Sequence, residues 1–253
     1  MASALTLSDG AFIIGGQALN IWAERYYAKA DELAYYGPYT SKDIDYFGQA
    51  AAARKLAELI DGIVLIPGPN DHTPESAKVQ ATIDGHLVEI DFLTHVLGVP
   101  DDRLQKSAAD LVFQIQTPAG IAELKVPIMH PFHCLRSRIA NVIELKRSDD
   151  VAKRQLEAAP IILREYISEM LDAGRERDAT NTLQALFDYL RSDLIGRKAH
   201  TAMTNDPAAI IDQFADDARI ERRYRENNLA TMRRTIAERR TAWGKFKALF
   251  DAT

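Results

Sequence analysis

Apolar and polar positions in the first half of the chain follow two different periods. Period-two runs of β-branched and aromatic residues predict strands, and runs with apolar residues three and four apart predict helices. The short apolar segment AFIIGG (residues 11–16) ends in two glycines and predicts a strand or the entry to a helix. The elements predicted next are a helix over 17–36, a strand over 43–47, a helix over 49–61 and a strand over 62–66.

The strongest turn signal is Asp84-Gly85, which joins the two alternating runs of KVQATIDGHLVEIDFL (residues 78–93). An Asp-Gly pair between alternating apolar runs is typical of a two-residue β-hairpin. Two further strands are predicted over residues 111–116 and 121–128, joined by the turn TPAG.

After Pro131 the pattern predicts helices almost to the end of the chain. One helix carries an apolar stripe at helical spacing, formed by Leu183, Leu186, Phe187, Leu190 and Leu194. Asp206 before Pro207 predicts an N-cap followed by proline at the first helical position. The predicted fold class is α+β, with a mixed sheet and flanking helices in residues 1–130 and an all-α domain in residues 131–253.

Composition restricts the classes of protein to which the chain can belong. Of its 253 residues, 47% are apolar and 26% are charged, which is typical of soluble globular proteins. No run of 18 apolar residues and no secretory-type start is present, so we expect a cytoplasmic protein without a membrane partner. The single cysteine, Cys134, rules out an internal disulfide and is expected to be buried.

Charge is distributed unevenly along the chain. The net charge of −5 argues against a protein that coats nucleic acid over a broad surface. Residues 216–253 contain ten Arg and Lys against six Asp and Glu, so they carry +4 and residues 1–215 carry −9. Because acidic residues are interspersed among the basic ones, we interpret this segment as a solvated helix face with ion pairs. A contact surface for nucleic acid is the alternative.

Carboxylates recur on two predicted strands. Asp43 and Asp45 are two apart and therefore project from one face of the strand DIDYF. On the second acidic strand, predicted over residues 87–99, Glu89 and Asp91 share a face in the same way. If the two strands pair, three carboxylates converge, and such hard oxygen ligands suit Mg²⁺ bound together with a nucleotide's phosphates. Two such ions about 3.5–4 Å apart can assist an in-line displacement.

Two glycines precede the first predicted helix. Gly15 and Gly16 would let the backbone approach a phosphate closely, and the N-terminus of a helix favours negative charge. Such a pair is weak on its own, but here it is followed by DID and then by a second acidic strand.

These three motifs together resemble the polymerase β-like nucleotidyltransferase superfamily. They are GGQAL at 15–19, TSKDID at 40–45 and IDFLT at 90–94, and they are most similar to bacterial members near the abortive-infection toxin and aminoglycoside nucleotidyltransferase branches. The resemblance covers residues 11–99. It implies a nucleotidyltransferase-type mixed sheet in the first domain, and it leaves the helical C-terminal domain without a matched motif.

The resemblance also implies the site residues. Asp43, Asp45 and Asp91 would bind two Mg²⁺ ions and carry catalysis, with Asp91 preferred to Glu89 because it occupies the acidic position of the IDFLT motif. Nucleotide contacts are implied for Gly15, Gly16, Ser41 and Lys42.

Relatives often carry a basic residue just before T-x-DID, where this chain has Tyr39. Other cations that could neutralise the triphosphate are Lys125, Arg136 and Arg138. His130 and His133 lack an HExxH context, and we expect ordinary hydrogen bonding from them.

The predicted function is a metal-dependent nucleotidyltransferase that moves a nucleoside monophosphate from an NTP to an acceptor and releases pyrophosphate. The acceptor stays open among a small molecule, an RNA end and a protein. The alternative is a non-catalytic nucleotidyltransferase fold that acts as a nucleotide sensor or binds a partner, such as the antitoxin of a toxin–antitoxin pair.

Overall fold

The structure is a computed structural model that describes residues 5–41, 43–68, 70–117 and 120–251, with the backbone alone for 242–251. The chain divides into two compact parts, which we call the sheet unit (residues 1–141) and the helical unit (residues 142–253). The division predicted from the sequence lay at residue 131, the first residue of α4 (Pro131–Ile143). Residues of α4 up to Asn141 belong to the sheet unit.

A mixed seven-stranded sheet forms the centre of the sheet unit. Its strands are β1 (Phe12–Ile13), β2 (Ile44–Phe47), β3 (Ile63–Leu65), β4 (Glu75–Ile83), β5 (His86–Leu93), β6 (Ala109–Thr117) and β7 (Gly120–Ile128). They lie in the order β3-β4-β5-β2-β1-β7-β6. The pairs β2/β5 and β1/β7 are parallel, and the other neighbours are antiparallel. The predicted α+β class with a mixed sheet, flanking helices and a helical C-terminal region is confirmed.

The turn between β4 and β5 has the conformation that its sequence predicts. Asp84 and Gly85 have φ angles of 51° and 80°, as a two-residue hairpin with positive φ at both central positions requires. The turn fixes the register, so that Ile83 pairs with His86 and Lys78 with Asp91.

One face of the central strands is buried. Tyr46 and Phe92 stack with their ring centroids 5.4 Å apart, and Ile90 and Val79 beside them are fully buried. Helix α2 (Ala50–Leu59) packs against β4 and buries Leu56. Since side chains alternate along a strand, the odd-numbered residues of β2 and β5 project from the opposite face.

Helix α1 (Gly15–Tyr26) is shorter than predicted. The helix predicted over residues 17–36 ends at Tyr26, and a separate 3₁₀ helix covers Asp31–Tyr36. Between them the chain turns, and Ala30 adopts an extended conformation that buries it together with Leu33. A short helix, α3 (Asp101–Ser107), was not predicted from the apolar pattern.

The helical unit consists of helices and short turns. Its α-helices are α5 (Asp150–Asp172), α6 (Glu176–Ser192), α7 (Ala199–Ala202), α8 (Ala208–Gln213), α9 (Arg222–Tyr224) and α10 (Ala230–Asp251). A π-helical segment, Arg225–Leu229, connects α9 to α10.

Two sequence predictions within the helical unit have different outcomes. Asp206 accepts a hydrogen bond from the amide of Ala208 at 3.0 Å, as a capping side chain would, but α8 begins one residue later than predicted, with Pro207 at the N-cap. Leu194 was assigned to the buried stripe of α6, and this was wrong. The helix ends at Ser192, and Leu194 is 71% exposed.

The remaining structural predictions concern burial and membranes. Cys134 is buried as expected, and burial raises the pKa of its thiol to about 12. None of the helices within the described ranges is both long enough and apolar enough to cross a bilayer.

Candidate functional site

The parallel pairing of β2 with β5 places two of the predicted site carboxylates side by side. Asp45 is in register with Asp91, and Ile44 and Tyr46 are in register with Ile90 and Phe92. Because neighbouring register partners project from the same face, both carboxylates lie on the face opposite the buried Tyr46 and Phe92. The register therefore selects Asp91, rather than Glu89, as the neighbour of Asp45.

The N-terminus of α1 lies against Asp45. Gly15 has a φ of +66°, and a Cβ added to it would lie 2.5 Å from Oδ2 of Asp45. The amide of Ile14, just before the helix, donates a 2.9 Å hydrogen bond to the carbonyl of Asp45. The first amides of an α-helix have no partner within the helix and favour nearby negative charge. Glycine is therefore needed at position 15 both for the backbone angle and for the close approach of the carboxylate.

The other predicted nucleotide and metal residues lie at the entrance to β2. Asp43 immediately precedes the strand and is exposed. The hydroxyl of Ser41 donates a 2.9 Å hydrogen bond to the carbonyl of Asp43. Gly16 is the second residue of α1 and is half-buried. Lys42 lies outside the described residues.

Asp45, Asp91 and Glu89 project from one face of the sheet, which we call the acidic face. Sequence reasoning missed a cation on this face. Lys78 on β4 is in register with Asp91, and its Nζ lies 3.2 Å from Oδ1 of Asp91 and 3.5 Å from Oε2 of Glu89. Contact with Asp91, opposed by desolvation and aided by Glu89, raises the pKa of Lys78. The hairpin turn carried the signal, since a two-residue turn at Asp84-Gly85 places residues 78 and 91 opposite each other.

Glu89 is held by its neighbours on β4. Gln80 is in register with Glu89 and donates to its Oε1 at 2.5 Å. This hydrogen bond and the charge of Lys78 lower the pKa of Glu89. Glu89 thus belongs to the acidic face as a partner of Gln80 and Lys78.

The cations proposed for triphosphate neutralisation differ in exposure. Lys125 on β7 is exposed. In α4, Arg138 is buried and Arg136 is half-buried, with its guanidinium 5.9 Å from the ring of Phe132. The two arginines are therefore enclosed in the packing of the sheet unit.

His130, just before α4, and His133, within it, make local contacts. Nδ1 of His130 accepts a 3.1 Å hydrogen bond from the amide of Phe132, which caps the helix. His133 is 5% exposed. Burial and the nearby charges of His130 and Arg136 lower the pKa of His133 to about 3. A hydrogen bond with the Arg103 backbone acts in the opposite direction and raises the pKa. A neutral buried imidazole fits the predicted structural role.

The carboxylates of Asp45 and Asp91 fit Mg²⁺ only in part. In the part of the chain that the structure describes, no three His, Cys, Asp or Glu side chains converge as a metal-binding group. Asp45 and Asp91 nevertheless supply adjacent carboxylates, which are ligands that Mg²⁺ prefers. Oδ1 of Asp91 is buried, and Nζ of Lys78 lies 3.2 Å from it. Asp45 and Asp91 are therefore suitable ligands for the ion, whereas the structure does not bring Asp43 into one group with them.

A cavity of about 680 Å³ opens in the helical unit. Its apolar lining includes Leu190, Leu194 and Ile236, and its basic lining consists of Arg197, Lys198, His200, Arg239 and Arg240. Among the described residues that line it, none is acidic. Arg240 pairs with Asp206, whereas Arg239 donates to the backbone carbonyl of Arg191. The cavity therefore combines apolar surface with positive charge.

The predicted ion-paired face of the C-terminal basic segment is also present. Arg222 pairs with Glu226 at 2.7 Å, and Arg234 lies 3.9 Å from Glu238.

Searches of family models, of curated proteins and of solved structures each find no match to this chain. Its function is therefore inferred from the residues of the acidic face and their geometry.

Proposed function

We propose that the chain is a metal-dependent nucleotidyltransferase whose sheet unit has the nucleotidyltransferase type of mixed sheet. The observation that carries the proposal is the pairing of Asp45 with Asp91 on adjacent parallel strands, with Gly15 at the start of α1 against Asp45. The GG, DID and IDFLT motifs are far apart in sequence, and the sheet brings a residue of each to one place. The substrate would be an NTP with Mg²⁺.

The carboxylates would bind the metal ion, and the backbone at the start of α1 would contact the phosphates. Asp45 and Asp91, with Asp43, would hold Mg²⁺, which when bound neutralises phosphate charge and assists an in-line displacement. The backbone at Gly15 and Gly16 would accommodate phosphate oxygens at the N-terminus of α1.

The transfer forms one bond and breaks another. An acceptor oxygen attacks the α-phosphorus and forms a new P–O bond, while the bond to the β-phosphate oxygen breaks and pyrophosphate leaves. The proton of the acceptor hydroxyl would pass to a carboxylate, for which Asp91 is a candidate. The protein would contribute chiefly by positioning the two reactants.

The cavity of the helical unit bears on the acceptor. Its apolar lining suits a base, and its basic side chains suit phosphates. Among a small molecule, an RNA end and a protein, this combination supports an RNA end. The acceptor is thus proposed to be a nucleic acid that carries a terminal hydroxyl.

Thermal unfolding with each NTP, with and without Mg²⁺, tests the proposed function. A ligand at about 100 times its Kd adds roughly 2.7 kcal/mol to the free energy of unfolding. We expect one NTP to raise the wild-type midpoint only when Mg²⁺ is present, and we expect Asp45→Asn and Asp91→Asn to abolish the response. Asp110→Asn is the matched control, because Asp110 is an exposed strand carboxylate on β6.

The same experiment separates the alternative function. A metal-independent nucleotide response that persists in Asp45→Asn would favour a non-catalytic sensor. If no NTP shifts the wild type, the nucleotidyltransferase proposal is wrong and a module that binds a partner protein is favoured.

A further inference from the structure

Lys78, Asp91 and Asp45 occupy successive strands at one level of the sheet. Lys78 on β4 is in register with Asp91 on β5, and Asp91 is in register with Asp45 on β2. All three side chains therefore project from the same face. The only strand between Lys78 and Asp45 is β5, which carries Asp91.

The charges in this row are unequal. The ammonium of Lys78 contacts two carboxylates, those of Asp91 and Glu89, and Asp45 adds a third negative charge beside Asp91. The side chains of Lys78 and Asp91 are 27% and 22% exposed, although Oδ1 of Asp91 is itself shielded from solvent. Lys78 therefore compensates part of the negative charge of Asp91 and Glu89.

The sheet does not need this ion pair for its register. The two-residue turn at Asp84-Gly85 and the backbone ladder from Ala77 to Ile83 already fix β4 against β5. Partly exposed ion pairs contribute little to stability. The contact between Lys78 and Asp91 is therefore weak enough to be exchanged for a stronger one.

We propose that Lys78 holds the metal-binding carboxylate of Asp91 while the site is empty and moves to a phosphate oxygen of the NTP when the metal–nucleotide complex binds. The inference rests on the proposed nucleotidyltransferase function. A lysine suits the exchange because its ammonium is a point charge on a flexible four-carbon stem. Lys78 would thus supply to the phosphates the positive charge that the sequence motif lacks at Tyr39.

The proposal predicts opposite effects on two affinities. Removing the ammonium frees Asp91 for a divalent cation and deprives the nucleotide of a phosphate contact. In Lys78→Met, we expect Mn²⁺ alone to bind about threefold tighter, consistent with the loss of a weak competing ion pair. We expect the NTP to bind about tenfold more weakly in the presence of Mn²⁺, as for loss of a hydrogen bond to a charged group.

Electron paramagnetic resonance of free Mn²⁺ measures the first affinity, and titration of the full chain with the responsive NTP measures the second. Lys78→Arg retains the charge and is expected to keep Mn²⁺ binding near the wild-type value and to restore part of the NTP affinity. Lys55→Met is the matched control, because Lys55 pairs with Asp9 at 2.7 Å in the same unit. It should leave both affinities unchanged. A circular dichroism spectrum like that of the wild type confirms that each variant is folded.

The outcomes distinguish the two proposals. If the wild type binds Mn²⁺ and the NTP but Lys78→Met changes neither affinity, or changes both in the same direction, the role of Lys78 is wrong and the proposed function stands. If the wild type binds no NTP, the proposed function and the phosphate role of Lys78 are both overturned.

Discussion

Gly15 begins α1 with a φ of +66°, and a Cβ at this position would lie 2.5 Å from Oδ2 of Asp45. Gly10 has almost the same backbone angle, +67°, but a Cβ there would meet nothing within 4 Å. Comparing the two glycines therefore separates the cost of the backbone angle from the cost of a clash with a side chain. A substitution of Gly10 strains the backbone alone, and a substitution of Gly15 strains the backbone and also displaces the carboxylate of Asp45.

A pair of alanine variants tests this difference. Gly10→Ala should lower the free energy of unfolding by about 1–2 kcal/mol, which is the cost of the left-handed region for a residue with a Cβ. Gly15→Ala should cost more, because Asp45 must also move, and it alone should abolish the metal-dependent NTP response. Urea unfolding and NTP titration provide the two measurements. Equal losses in both variants would show that the contact with Asp45 has no role.

His133 makes stability depend on pH. Its folded-state pKa is lowered to about 3, chiefly by burial, so the unfolded chain binds a proton more readily than the folded chain. The free energy of unfolding therefore falls as the pH drops below the unfolded pKa near 6.5 and continues to fall until about pH 3. The buried Nδ1, which has no hydrogen-bond partner among the described residues, agrees with a neutral ring.

Replacing His133 should remove this part of the pH dependence. Between pH 7 and pH 5, the wild type should lose about 2 kcal/mol more than His133→Leu. His72→Leu is the control, because His72 is exposed, and it should follow the wild type. Urea unfolding at the two pH values measures the difference. A wild-type curve that is parallel to that of His133→Leu would contradict a buried neutral histidine.

At the scale of secondary structure elements, local patterns predicted most strands, and pairing between distant strands had to be assumed. Asp84-Gly85 specifies a hairpin because both residues tolerate positive φ, and a two-residue turn also fixes that Lys78 lies opposite Asp91. The parallel pairing of β2 with β5 has no such local signal, since residues 48–85 separate the strands. It was expected only from the resemblance and from the chemistry of the carboxylates.

In the helical unit, one carboxylate connects two elements. Glu157 on α5 accepts hydrogen bonds from the amides of Thr204 and Asn205 at 2.6 and 2.7 Å, just before α8. The side-chain amide of Asn205 in turn donates to the carbonyl of Glu157 at 2.9 Å. A glutamate within a helical run gives no sign in the sequence that it will bind a loop 47 residues away.

Removing this carboxylate should release the loop. Glu157→Ala leaves two amides without their partner, and we expect the free energy of unfolding to fall by about 1–2 kcal/mol because water replaces the contact in part. Hydrogen exchange of peptides that cover residues 203–209 should become faster. Glu165→Ala is the control, because Glu165 pairs with its neighbour Arg164 on the same helix. Unchanged exchange in Glu157→Ala would contradict a connecting role for the carboxylate.

At the scale of the whole molecule, the sequence shows where basic residues are concentrated, but it does not show which other residues lie next to them in the fold. The excess of arginine after Asp216 was visible in the sequence, and its ion pairs with interspersed glutamates were predicted. The cavity was not predicted, because Arg197 and Lys198 lie before this segment and meet Arg239 only when α10 packs in the helical unit. The exposed Leu194, wrongly assigned to the core, is part of the apolar lining of the cavity.

The cavity allows a charge-matched test of RNA binding. Arg197→Gln/Lys198→Gln removes two adjacent cations from its lining, and Arg222→Gln/Arg223→Gln removes two adjacent cations of the same unit outside the lining. If the cavity binds single-stranded RNA, the first variant should reduce the slope of log K against log salt concentration by about 1.4, from about 0.7 per phosphate contact. The second variant should retain the wild-type slope.

Fluorescence anisotropy of a labelled single-stranded RNA between about 50 and 200 mM salt measures both slopes. Because the two variants have the same net charge, a difference between them identifies a local contact rather than a general attraction. Equal reductions in both variants would indicate diffuse attraction by the basic segment. Binding that is weak and insensitive to salt in the wild type would exclude an RNA end as the acceptor and leave a small molecule or a protein.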